Sequence, residues 1–89
     1  MSAIQEMADR LAADVLAAEV ELDDDRFYEK VAKVLMAASP TFQEAYMTAI
    51  RVRMAERRGR EFLEKALAAK RGEIEEEPVV PVDMGGMGH

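Results

Sequence analysis

Five arginines between residues 51 and 60 form the densest group of chemically active side chains in this 89-residue chain. They are Arg51, Arg53, Arg57, Arg58 and Arg60. Guanidinium groups bind phosphates and carboxylates, often through two parallel hydrogen bonds. No aromatic residue lies among them to stack on a base, and the net charge of the chain is −6. The cluster therefore favours pairing with carboxylates of this chain or of an acidic partner, and nucleic-acid binding is the alternative.

The residues that most catalytic sites need are scarce. There is no cysteine, and the single histidine is the terminal residue, His89. The two serines, Ser2 and Ser39, stand at positions typical of helix caps, so no Ser/His or Cys/His pair can be assembled. We therefore predict that the chain is not an enzyme, and that it has no cofactor, no metal site and no small-molecule substrate.

The first predicted helix covers residues 3–21 and begins with a capping box between Ser2 and Gln5. Its apolar residues recur at alternating spacings of four and three, as in a heptad seam: Ile4, Ala8, Leu11, Val15, Ala18 and Leu22. Such a seam packs either against a core within the chain or against another copy of itself. The sequence leaves both possibilities open.

Two further helices are predicted, over residues 25–38 and 41–71, because Asp23–Asp25 and Ser39-Pro40-Thr41 are typical helix starts. The expected apolar stripe of the second helix is Phe27, Val31, Val34, Leu35 and Ala38. That of the third helix is Phe42, Ala45, Ala49, Val52, Phe62, Leu63, Ala66 and Leu67. Gly59 predicts a kink or a break, because glycine is unfavourable inside a helix.

These helices predict an all-α fold with a three-helix body over residues 1–72. In that body a hairpin of the first two helices packs on the N-terminal half of the third. Little of the chain is then left to cover Phe62, Leu63 and Leu67, which we expect to form a docking surface.

Residues 73–77 are predicted to be an acidic linker, and residues 78–89 an extended, non-helical C-terminal arm. Pro78 and Pro81 disfavour helix, and three glycines follow them near the end of the chain. The arm offers five apolar side chains to a partner: Val79, Val80, Val82, Met84 and Met87. It either docks, by strand addition or as a P-x-x-P segment, or is a passive end. The terminal Gly-Gly-Met-Gly is similar to the Gly-Gly-Met repeats that end bacterial chaperonin subunits, a likeness confined to this short segment.

Charge is distributed in blocks along the chain. Residues 1–30 contain nine acids and three bases, residues 51–72 eight bases and three acids, and residues 73–89 five acids and no base. The basic block can be neutralised within one chain or between copies. No signal peptide and no apolar run long enough to cross a bilayer is present, which predicts a cytoplasmic protein, or one within an assembled particle.

The sequence thus predicts a small structural or adaptor protein. It would dock on a larger protein assembly, or form a homo-oligomer, through its third helix and its C-terminal arm. An accessory component of a bacteriophage particle is the instance we favour, by analogy with other short proteins that carry extended arms. The alternatives are a nucleic-acid-binding regulator that uses the arginine cluster, and an acidic inhibitor that uses the carboxylates of the first helix.

Overall fold

The computed structural model describes residues 2–72, which form three α-helices and, within that range, no strand. They are α1 (Ala3–Leu22), α2 (Phe27–Ala38) and α3 (Pro40–Lys70). This confirms the predicted all-α fold with a long third helix, and each predicted helix end lies within two residues of the observed one. The predicted linker and arm lie outside the described residues. The chain divides into two units, Met1–Ala55 and Glu56–His89.

Polar side chains fix the ends of α1. The Ser2 hydroxyl accepts a hydrogen bond from the Gln5 backbone N–H at 3.1 Å, and the Gln5 side chain accepts one from the Ser2 N–H at 3.0 Å. This is the predicted capping box, which satisfies two backbone donors at the helix start. At the other end Asp23 adopts a left-handed backbone conformation with φ 54°, and its N–H donates to the last turn of the helix.

Asp24 shapes the turn that leads into α2. Its carboxylate accepts hydrogen bonds from the Arg26 backbone N–H at 3.1 Å and from Lys30 Nζ at 2.7 Å. The hydrogen bond from Lys30 is the main reason that the pKa of Asp24 lies below its usual value. The aspartate run thus acts as a turn and helix-start signal, as the sequence predicts.

Ser39 ends α2 and begins α3. Its backbone N–H donates to the Leu35 carbonyl at 2.7 Å, and its hydroxyl accepts from the Phe42 N–H at 3.2 Å. Pro40 occupies the first turn of α3, where its missing N–H costs nothing. The helix then continues to Lys70 without a break at Gly59.

The hydrophobic core lies in the first unit, where α1 and α2 pack against the N-terminal part of α3. Its buried side chains are Ala8, Ala12, Val15, Leu16, Ala32, Tyr46 and Ile50. Tyr46 and Ile50 are the large side chains that are fully buried among the described residues. The alanines let the helices approach closely but contribute little burial free energy, so the core is small.

Tyr46 connects α3 to α2 through a polar contact at the edge of the core. Its hydroxyl donates a hydrogen bond to the Tyr28 carbonyl at 3.0 Å. Burial, together with the nearby charges of Glu19 and Tyr28, raises the pKa of Tyr46 to about 12. The Glu19 carboxylate accepts from the Tyr28 N–H at 2.8 Å, so it also serves the start of α2.

Five residues of the predicted apolar stripes outside the distal part of α3 are exposed and do not contribute to the core: Ile4, Leu22, Val34, Ala38 and Val52. Tyr46 and Ile50, which the predicted stripe of the third helix omitted, are instead buried. The helices are rich in alanine, so several faces of each one have similar apolar content. Spacing alone therefore left the rotation of each helix about its axis undecided.

Candidate functional site

The C-terminal part of α3 has one apolar face, which we call the distal face. Its members are Gly59, Phe62, Leu63, Ala66 and Leu67, which recur at spacings of three and four residues and so share one side of the helix. Leu63 is 51% exposed and Leu67 is 41% exposed, whereas Phe62 is half-buried. Large aliphatic side chains exposed one turn apart are suited to contact another protein.

Gly59 lies on the distal face in open space. A Cβ atom placed on this residue would meet no atom within 4 Å. The glycine is therefore not required by packing at this position, and it leaves the helix backbone accessible.

Two arginines of the cluster predicted from the sequence form ion pairs. Arg53 Nε and Nη2 donate to the two carboxylate oxygens of Asp9 at 3.1 and 2.8 Å, which ties α3 to α1. Arg60 Nη2 lies 2.7 Å from the Glu56 carboxylate one turn earlier. The other three arginines of the cluster form no ion pair with any residue between Ser2 and Gly72. The intrachain contact of Arg53 matches the carboxylate pairing that the sequence favours for this cluster.

Basic residues border the distal face. Arg58 and Lys65 are seven residues apart, which is nearly two helical turns, so they lie on the same edge beside Phe62. Both are exposed and neither forms an ion pair with another residue of the range 2–72. The distal face is thus an apolar strip with a row of cations along one edge.

A second apolar strip lies on α1, and we call it the α1 face. It comprises Ile4, Met7, Leu11, Ala18 and Leu22. Ile4, Met7 and Leu22 are exposed, whereas Leu11 packs against the core and Ala18 is half-buried. Asp14 and Glu21, again seven residues apart, border it on one side. The sequence pattern identifies most of this strip as a seam, but it does not separate the exposed side of the seam from the buried side.

The first unit also contains an open groove of about 360 Å³ between α1 and α3. It is lined by Gln5, Asp9, Ala45, Thr48, Ala49 and Val52. Asp9 is the one ionisable group in this lining, and it is already paired with Arg53. The lining therefore contains no second ionisable group that could act as a base on the Thr48 hydroxyl.

Among residues 2–72 no cluster of carboxylate or histidine side chains is arranged to hold a metal ion. None of the three helices combines the length and the hydropathy needed to span a membrane. The five arm residues predicted to contact a partner lie beyond the described range.

No protein-family model, no curated protein and no solved structure matches this chain. Inference about function therefore depends on the surfaces described above.

Proposed function

We propose that this chain is a non-enzymatic structural or adaptor protein that docks on a larger protein assembly through the distal face of α3. The observation that carries the proposal is the exposure of Leu63 and Leu67 on one side of the helix. Burying two aliphatic side chains of this size against a partner stabilises a complex by a few kcal/mol, at about 25 cal/mol per Å² of apolar area. The C-terminal arm, with its valines and methionines, is proposed as a second contact.

The ion pairs of Arg53 and Arg60 support a protein partner over a nucleic acid. A basic helix that binds phosphates uses free guanidinium groups, and two of the five are paired with carboxylates here, which leaves Arg51, Arg57 and Arg58. The presence of acidic residues in the same helix further reduces its attraction for a polyanion. An accessory component of a bacteriophage particle remains the specific setting that we propose.

A capture experiment with matched variants tests this function. The tagged full chain is compared with Leu63→Glu/Leu67→Glu and with Val34→Glu, in lysate of the source organism. Val34 is 69% exposed on α2, so it provides a surface apolar-to-acid control outside the distal face. We expect the double variant to lose a partner that the wild type and the control retain, while its helical circular dichroism stays unchanged.

A chain that ends at Glu77 tests the arm separately. Loss of the same partner on truncation would assign the arm to the same interface. If the double variant and the truncated chain both retain every partner of the wild type, docking through these elements is refuted. Recovery of nucleic acid alone would favour the regulator alternative instead.

A further inference from the structure

We propose that the occupant of the distal face is the α1 face of a second copy of this chain, which makes the protein a homo-oligomer. The inference rests on the proposed docking role of the distal face and names its partner. It follows from three features of the two faces: their apolar content, the signs of their border charges, and the spacing of those charges.

Both faces expose apolar side chains of similar size. Leu63 on α3 and Leu22 on α1 are each about half exposed, and each belongs to an α-helical strip with heptad-like spacing. Gly59 and Ala18 add small residues that allow two helix axes to approach closely. Two such strips bury apolar surface when they pack side by side.

The border charges are opposite in sign. Arg58 and Lys65 edge the distal face, whereas Asp14 and Glu21 edge the α1 face. None of these four side chains forms an ion pair with another residue of the described range 2–72. A pairing of two distal faces in antiparallel order would instead bring basic edges together, which is unfavourable.

The two charges on the border of one face have the same spacing as the two charges on the border of the other. Each pair is separated by seven residues, which corresponds to about 10.5 Å along a helix axis. Two ion pairs can therefore form at once when the helices pack side by side. Because the two faces are different surfaces of one chain, two copies can associate through one such contact or through two reciprocal ones.

The first test is sedimentation velocity of the full chain over a range of concentrations and salt. A single helix-on-helix contact is small, so we expect concentration-dependent association with a Kd in the range of about 10–100 µM. Raising the ionic strength should weaken it because the border charges are exposed. A wild-type chain that stays monomeric at millimolar concentration overturns the proposal.

Two blocking variants distinguish a contact between unlike faces from a contact between two like faces. Leu63→Glu blocks the distal face and Leu22→Glu blocks the α1 face, and each variant alone should be monomeric. When they are mixed, the intact α1 face of the first can bind the intact distal face of the second, so a closed 1:1 dimer should form. Absence of this dimer, in a mixture whose components keep their helical circular dichroism, contradicts the proposed pairing.

Charge reversal gives an independent test that leaves the apolar residues in place. Arg58→Glu/Lys65→Glu should weaken self-association by about tenfold or more, because each reversed charge faces one of like sign. Adding Asp14→Lys/Glu21→Lys in the same chain should restore it. Unchanged association in the first variant, or no recovery in the second, argues against these ion pairs.

The outcomes also separate this inference from the proposed function. If the wild type is monomeric but Leu63→Glu/Leu67→Glu still loses a captured partner, the adaptor role stands and the second copy is not the occupant. If the wild type associates and these substitutions do not affect the association or any captured partner, the distal face is not an interface at all.

Discussion

Replacing Tyr46 by phenylalanine should change the stability of the protein in opposite directions at neutral and at high pH. At pH 9 the tyrosine is protonated in both the folded and the unfolded chain. The substitution then removes only the hydrogen bond from its hydroxyl to the Tyr28 carbonyl. The loss of one such bond lowers the free energy of unfolding by about 1 kcal/mol.

The sign reverses above pH 10 because the folded chain holds the phenolic proton more tightly than the unfolded chain does. The pKa of Tyr46 is raised to about 12 from its ordinary value of 10.0. Its protonated form therefore contributes full stability below pH 10, and this contribution is lost as the pH rises through 12. At about pH 11.5 the wild type has lost about 2 kcal/mol through this group, at about 1.4 kcal/mol per pKa unit. Tyr46→Phe has no such proton to lose, so it should be about 1 kcal/mol more stable than the wild type there.

The assay is urea denaturation followed by helical circular dichroism at pH 9 and at pH 11.5, for both proteins. The lysines of the chain are common to both proteins, so their titration contributes equally to the two stabilities. Tyr28→Phe should show a smaller change in the same direction, because burial also raises the pKa of Tyr28 but its ring is only half-buried. A difference between wild type and Tyr46→Phe that stays constant from pH 9 to pH 11.5 would refute the argument.

Three further substitutions test single contacts, each by thermal or urea denaturation. Gly59→Ala should raise the free energy of unfolding by about 0.5–1 kcal/mol, since the added methyl group meets open space; a decrease would mean that another group packs there. Asp9→Ala should lower it by about 0.5 kcal/mol at low salt, because its ion pair with Arg53 is partly exposed, and the loss should disappear at about 1 M salt. Ser2→Ala removes the cap of α1 and should cost about 1 kcal/mol, whereas an unchanged midpoint would show that the first turn frays in the wild type.

The helices and their ends could be predicted from the sequence because local chemistry determines them. Ser2 with Gln5, and Ser39 with Pro40, mark helix starts through hydrogen bonds within three residues. The turn at Asp24 is likewise determined locally, because its carboxylate accepts a hydrogen bond from the backbone N–H of Arg26, two residues later. None of these signals depends on how the helices later pack.

The buried faces could be predicted only in part, because they depend on contacts far apart in the sequence. Tyr46 looks like a surface residue until the Tyr28 carbonyl, 18 positions away, is known to accept its hydrogen bond. The pairing of Arg53 with Asp9 spans 44 positions and requires the observed alignment of α3 on α1. The exposed strip on α3 was predicted, because so few apolar residues of the chain remain to cover Leu63 and Leu67.

The small core also has a thermodynamic consequence. With alanines at three of its seven buried positions, unfolding of the first unit exposes little apolar surface. The heat-capacity increment of unfolding should therefore be low, so stability varies gently with temperature without reaching a high maximum. An unbound chain would then unfold often enough for proteases to degrade it. A bound partner would instead shift the folding equilibrium toward the folded chain by mass action. We therefore expect the cellular abundance of this chain to follow that of the molecule to which it binds.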